Sequence, residues 1–142
     1  MNYFFKINVV SMLYALLLFI PIELMINVNR ISRLVDLDVH TVNDYSFAAS
    51  MIVFVSGTFF LFLITKKWLK GVRANFWTAL LWIPYFVFFV YVLAASFPVK
   101  SMGDMSSPGA GLVGLALLIM FPFYILLVNY FNYMNKDELS KE

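Results

Sequence analysis

The sequence predicts an all-α membrane protein, a four-transmembrane-helix bundle with both termini in the cytoplasm. Three observations predict it: the composition, four long stretches almost free of charge, and the uneven placement of the basic residues. Of the 142 residues, 63% are apolar and 13% charged, whereas a soluble domain is roughly 45 to 50% apolar and about 25% charged. Such a chain has too little polar surface for water, which excludes the soluble enzyme folds. The absence of cysteine rules out disulfides, thiolate metal sites and cysteine nucleophiles. A net charge of +2 gives no reason to expect nucleic acid as a partner.

The apolar runs are Ile7 to Asn27, interrupted only by Glu23, then Ser46 to Thr65, Phe76 to Phe97 and Gly109 to Phe131. Each is long enough to cross roughly 30 Å of hydrocarbon at about 1.5 Å per residue. Together they leave room for tails and three connections but not for a separate soluble domain, so residues 1 to 142 read as one integral-membrane domain. In hydrocarbon all backbone N–H and C=O groups must be paired internally, which admits only helices or closed barrels. Barrel strands alternate apolar and polar residues; Leu115 to Phe123 is apolar without a break, so helices are expected.

The first run follows Lys6 and reads as a retained helix, because a secretory signal has a shorter apolar region and a small-residue cleavage site where this chain has Glu23, Leu24, Met25, Ile26 and Asn27. Glu23 is the one ionisable group inside a run. A charge in a bilayer costs at least about 2.5 to 3.5 kcal/mol, which makes it a candidate functional residue. Near the outer end of its helix it is expected to reach the interface or to pair with Arg30, in a structural more than a transporting role.

The first connection, Asn27 to Tyr45, is the most polar part of the chain and holds the candidate binding residues Arg30, Arg33, Asp36, Asp38 and His40. As a strand, its period of two places Asp36, Asp38 and His40 on one face. That makes two carboxylates and an imidazole, the ligand types of a metal site. The same alternation describes a half-buried segment with one wet face, and a helical reading turns Ile31, Leu34 and Val35 inward. Neither a metal nor a cofactor is expected.

In the second run Ser46, Ser50 and Gly57 share a helical face, and in the fourth Ala110 and Gly114 form a small-xxx-small pair. Close backbone approach drives helix association in lipid, so the second and fourth runs are expected to touch, or copies of the chain to associate. Pro21, Pro84 and Pro122 fall inside three of the runs and predict kinks; Pro84 and Pro122 lie at similar depth, where paired kinks would open a cavity or a hinge.

Lys66, Lys67, Lys70 and Arg73 fill the second connection, Lys6 precedes the first run, and Lys136 and Lys141 follow the last, against Arg30, Arg33 and Lys100 in the other two connections. Short basic segments stay inside the cell, so both termini and the second connection are expected in the cytoplasm. There the second connection would attract anionic headgroups at about 1 kcal/mol per residue. Tyr3, Phe4, Trp68, Trp77, Tyr130 and Tyr133 at one level, with Tyr45, Phe47 and Phe97 at the other, suit an aromatic belt. A plain positive-inside pattern suits a bacterial plasma membrane.

Phosphate loops, paired helical histidines, serine elbows and buried carboxylate pairs are all missing from the sequence, so catalysis is not expected. The first functional reading is a non-enzymatic accessory protein that recognises a partner membrane protein, an inserting toxin or another copy of itself through helix faces and outer connections. In helix count and orientation the chain resembles the immunity proteins that protect bacteria from their own pore-forming bacteriocins. That likeness implies toxin recognition and carries over no residues. The alternative is a small subunit of a channel or exporter, with Glu23 and the kinked helices lining a path.

Overall fold

A computed structural model of the chain describes residues 2–70 and 73–139, with side chains through 135. Lys141 and the side chain of Lys136 therefore lie outside the described residues. The helices are α1 (Tyr3–Ile26), α2 (Val28–Val35), α3 (Val39–Ile64), α4 (Thr78–Ser96) and α5 (Pro108–Leu139). A π turn over Thr65–Leu69 extends α3, a 3₁₀ turn over Arg73–Trp77 leads into α4, and another covers Met102–Asp104. Among the described residues there are no strands, and four helical stretches are long and apolar enough to cross a membrane: Tyr3–Ile26, Val39–Leu69, Arg73–Ser96 and Pro108–Asn135.

The four expected helices are present, and α1, α3 and α5 each extend beyond the apolar run. Helix α3 starts at Val39, not Ser46, because Asp38 adopts an extended backbone and its carboxylate accepts from the amides of His40 and Thr41 at 3.0 and 3.4 Å. An N-cap of this kind satisfies donors that the first turn leaves unpaired. Helix α1 likewise begins at Tyr3 rather than Ile7, and α5 runs past Phe131 to Leu139. At Asn27 the chain leaves α1; the Asn27 amide side chain bonds the Glu23 carbonyl and carboxylate, both at 2.9 Å. Asp36 ends α2 in the left-handed region at φ 53°, a conformation an Asp tolerates because its short side chain bonds locally.

Helix α1 is the axis around which the others pack. Val10, Tyr14, Ala15, Leu17, Leu18 and Ile22 are buried there against Leu61 of α3, Trp82 and Phe86 of α4, and Phe121, Ile125 and Val128 of α5. The Tyr14 ring meets Phe121 and Tyr124 edge-on, each at 6.4 Å between centroids, and Trp82 meets Phe121 at 5.0 Å. Edge-to-face pairs of this kind set the rings' positive rims against negative faces.

The second and fourth runs touch as expected, but not through their small residues. A Cβ on Gly57 would sit 2.5 Å from Leu17 Cδ1, so the close approach of α3 is to α1, and Gly114 likewise faces Met25 and Ile22 of α1. Helices α3 and α5 meet through Tyr124, whose hydroxyl is 2.6 Å from Thr58 Oγ1 and whose ring is 5.3 Å from that of Phe54. Ser46 and Ser50 border a cleft instead of a contact. A small-residue stripe marks where a neighbour can come close but not which neighbour comes. Pro21 borders that same cleft, whereas Pro84 and Pro122, the pair expected to open a cavity, do not.

Candidate functional site

The polar groups gather at the two ends of the bundle. At the end formed by α2 and the 97–107 connection, three side chains of α2 reach across to that connection. Arg30 donates to the Phe97 carbonyl at 2.8 Å and lies over the Phe97 ring at 5.7 Å. Arg33 donates to Ser101 Oγ at 2.9 Å and to Asp104 Oδ1 at 2.7 Å, the one ion pair among the described residues. Asn29 donates to the Met105 carbonyl at 3.0 Å. Residues 29, 30 and 33 fall on one side of a helix by the three-and-four spacing, so one short helix lashes two distant connections together. Gly103 permits the approach, since a Cβ there would lie 3.0 Å from an Arg33 guanidinium nitrogen.

Between these segments lies a cleft of about 270 Å³ lined by Arg30, Arg33, Leu34, Pro98, Lys100 and Asp104. Three cations surround it with one carboxylate. Arg33 uses one nitrogen for both of its bonds, which leaves most of its five N–H donors facing outward. The arrangement suits a carboxylate or another anionic group brought by a partner.

Sequence reasoning found Arg30 and Arg33 but missed Lys100, Asp104 and Phe97; Phe97 and Asp104 lie 67 and 71 residues along the chain from the arginines they meet. Other expectations fail here. Glu23 does not pair with Arg30: its carboxylate accepts from Asn27 while Arg30 is turned to Phe97. The strand reading of Asp36 to His40 is overturned, because a helix end, a turn and a new helix stand there, while the helical reading holds over Val28–Val35, with Ile31 half-buried but a different inward face. The inward face of α2 is Val28 and Ser32, while Leu34 and Val35 are 77% and 51% exposed. Asp36 and Asp38 serve the backbone as helix caps, and His40 sits in the first turn of α3. These three do not form a cluster, and among the described residues no group of three His, Asp or Glu side chains is placed to hold a metal.

At the other end the polar groups are buried and neutral. Tyr3 donates to Asn75 Oδ1 at 2.8 Å, Thr78 donates to the Asn75 carbonyl at 2.7 Å, and Asn129 donates to Thr78 Oγ1 at 2.8 Å and to the Asn75 carbonyl at 3.2 Å. This network ties α1, α4 and α5 through the turn that precedes α4. It went unread in the sequence, though asparagines at the edge of an apolar run were the available signal. Around it Lys66, Lys67, Lys70 and Arg73 are all exposed. No family model matches the chain, and no curated protein or solved structure matches it at a significant level.

Proposed function

We propose that this chain is a multi-pass protein of a bacterial plasma membrane, termini inside, that works without catalysis by recognising a membrane-protein partner or an inserting toxin at its outer face. The observation that carries the reading is the convergence of Arg30, Arg33 and Lys100 on one cleft, built on connections already tied to each other. A surface ordered before it meets its partner avoids the entropy of ordering on contact. An excess of one charge sign steers and selects a partner of the other sign. The inward placement of Lys66, Lys67, Lys70 and Arg73 rests on the positive-inside rule, and these exposed residues would sit against anionic headgroups of the inner leaflet.

Capture from native membranes tests the reading. The wild type is expected to co-purify with one partner, and Arg33→Glu with Lys100→Glu to release it by at least about tenfold, roughly 1.4 kcal/mol, while the helical content stays unchanged. Equal capture by both forms would reject the cleft as the recognition surface. Since the chain has no cysteine, single thiols report the orientation cleanly: Lys67→Cys is expected to resist membrane-impermeant reagents from outside, and Lys100→Cys to react. The channel or exporter reading predicts solute flux in liposomes that falls with Glu23→Gln; the recognition reading predicts none.

A further inference from the structure

The cleft that separates α3 from α5 has a volume of about 400 Å³ and is floored by Leu18, Pro21 and Met25 of α1. Phe47, Met51 and Phe54 form one wall, Val113 and Leu117 the other. Its polar exceptions are few. Ser50 is already satisfied, donating to the Ser46 carbonyl at 2.7 Å, so water entering there would find too few of the two to four partners it needs. The cleft opens sideways through the parts of α3 and α5 that would lie in hydrocarbon, next to acyl chains.

At its end towards α2 the cleft runs into a second cavity of about 380 Å³, the two sharing Met25, Asn43 and Val113. The lining changes character there. Asn29, His40, Asn43, Ser106 and Ser107 surround it, together with Gly109 and Ala110 in the first turn of α5. Its lining is free of acidic side chains, and His40 and Asn43, both exposed, line it with side chains that make no hydrogen bond among the described residues. A Cβ on Gly109 would meet nothing within 4 Å, which leaves the wall low at that point. At the amino end of α5 the Ser107 hydroxyl and carbonyl already accept from the Ala110 amide, at 3.3 and 3.1 Å, so what the helix end adds is its positive partial charge. Across the residues the two cavities share, the lining thus passes from hydrocarbon to hydrogen-bonding groups near the start of α5.

We propose that this groove holds a single membrane phospholipid, one acyl chain lying along Leu18, Met25, Phe54 and Leu117, its phosphate near His40, Asn43 and the start of α5. The proposal does not depend on the partner cleft at Arg30, Arg33 and Lys100. Hydrophobic transfer does not hold the chain, since the surrounding lipid is equally apolar; close contact with the walls and hydrogen bonds to the headgroup do.

The test uses full-length protein in nanodiscs of phosphatidylglycerol, part of it carrying a photoreactive diazirine in one acyl chain. Adducts are expected to concentrate on Met25, Phe54, Val113 and Leu117, and native mass spectrometry after mild detergent extraction to retain one phospholipid per chain. Ser50→Phe, which fills the cleft, and the pair His40→Ala with Asn43→Ala, which removes the headgroup contacts, are each expected to lower retention by about tenfold. Adducts spread over all exposed helix faces in proportion to exposure would overturn the proposal. So would retention unchanged in both variants, or groove residues that carry no lipid adduct while the outer helix faces do. Should Ser50→Phe lose its helical content, the wild-type adduct map and the double alanine variant decide.

Discussion

Helices α1 and α3 are equally hydropathic, yet 39% of the apolar window of α1 is buried and only 6% of that of α3. Hydropathy reports which solvent a helix accepts. It does not report packing, because in lipid a leucine gains nothing by leaving an acyl chain for another leucine, and association rests on shape and polar contact. Helix α1 has the shape. Ser11, Ala15, Leu18 and Ile22 make one buried stripe and Val10, Tyr14 and Leu17 another, so neighbours fit on more than one side. Helix α3 lies along α1 with one narrow face that holds Gly57 and Leu61, meets α5 through Phe54 and Thr58, and turns Ile52, Val55 and Phe59 outward.

The largest predicted effect sets one aromatic residue of each helix against the other. Tyr14→Ala removes a ring that is 0% exposed and lies against Phe121 and Tyr124, and is expected to cost about 3 to 5 kcal/mol. Phe59, 66% exposed, is expected to become alanine within about 0.5 kcal/mol. Unfolding in bicelles measures both. An equal cost would break the comparison and show that α3 is covered in the assembled state.

Next in size is the one place where α3 comes closest to α1. Gly57→Leu forces a side chain into the space of Leu17 and is expected to cost about 1 to 3 kcal/mol. Ser56→Leu, one residue away on the exposed side, is expected to be near neutral. A neutral Gly57→Leu would mean that the Leu17 side chain swings aside without loss and that close approach at this point does not hold α3 to α1.

The contrast also explains how much of the molecule was legible. Four helices long and apolar enough to cross a membrane could be read because the length such a crossing needs follows from hydrocarbon thickness and its apolarity from the cost of wet groups there. The small residues of α3 could be read as a contact. Their partner could not, since Gly57 fits any smooth neighbour and only the three-dimensional path selects Leu17. The same limit applied at the candidate site. Arg30 and Arg33 stood out as cations in a polar connection, but Lys100 and Asp104 join them only after α3 and α4 have folded back. Asp38 shows the opposite failure: its capping role was local and available, and the alternation with Val35, Leu37 and Val39 masked it.

The smallest predicted effect separates shape from polar contact as the cause of the difference in burial. Both helices make a side-chain hydrogen bond to a neighbouring helix other than the one met at Gly57, and α1 adds another from Tyr3 to Asn75 in the turn before α4. Tyr85 of α4 donates to Asn8 Oδ1 of α1 at 2.7 Å, and Thr58 of α3 lies 2.6 Å from the Tyr124 hydroxyl of α5. Asn8 also donates to the Phe4 carbonyl in its own helix, as Thr58 does to that of Phe54, so single substitutions mix local and cross-helix losses. Double-mutant cycles remove the local part, here Asn8→Leu with Tyr85→Phe and Thr58→Val with Tyr124→Phe. Both couplings are expected near 0.6 kcal/mol, the average for such bonds in a membrane. Equal couplings on a buried and an exposed helix would leave shape as what places α1 at the centre. A coupling at Asn8 well above that at Thr58 would assign the centre to the hydrogen bond instead.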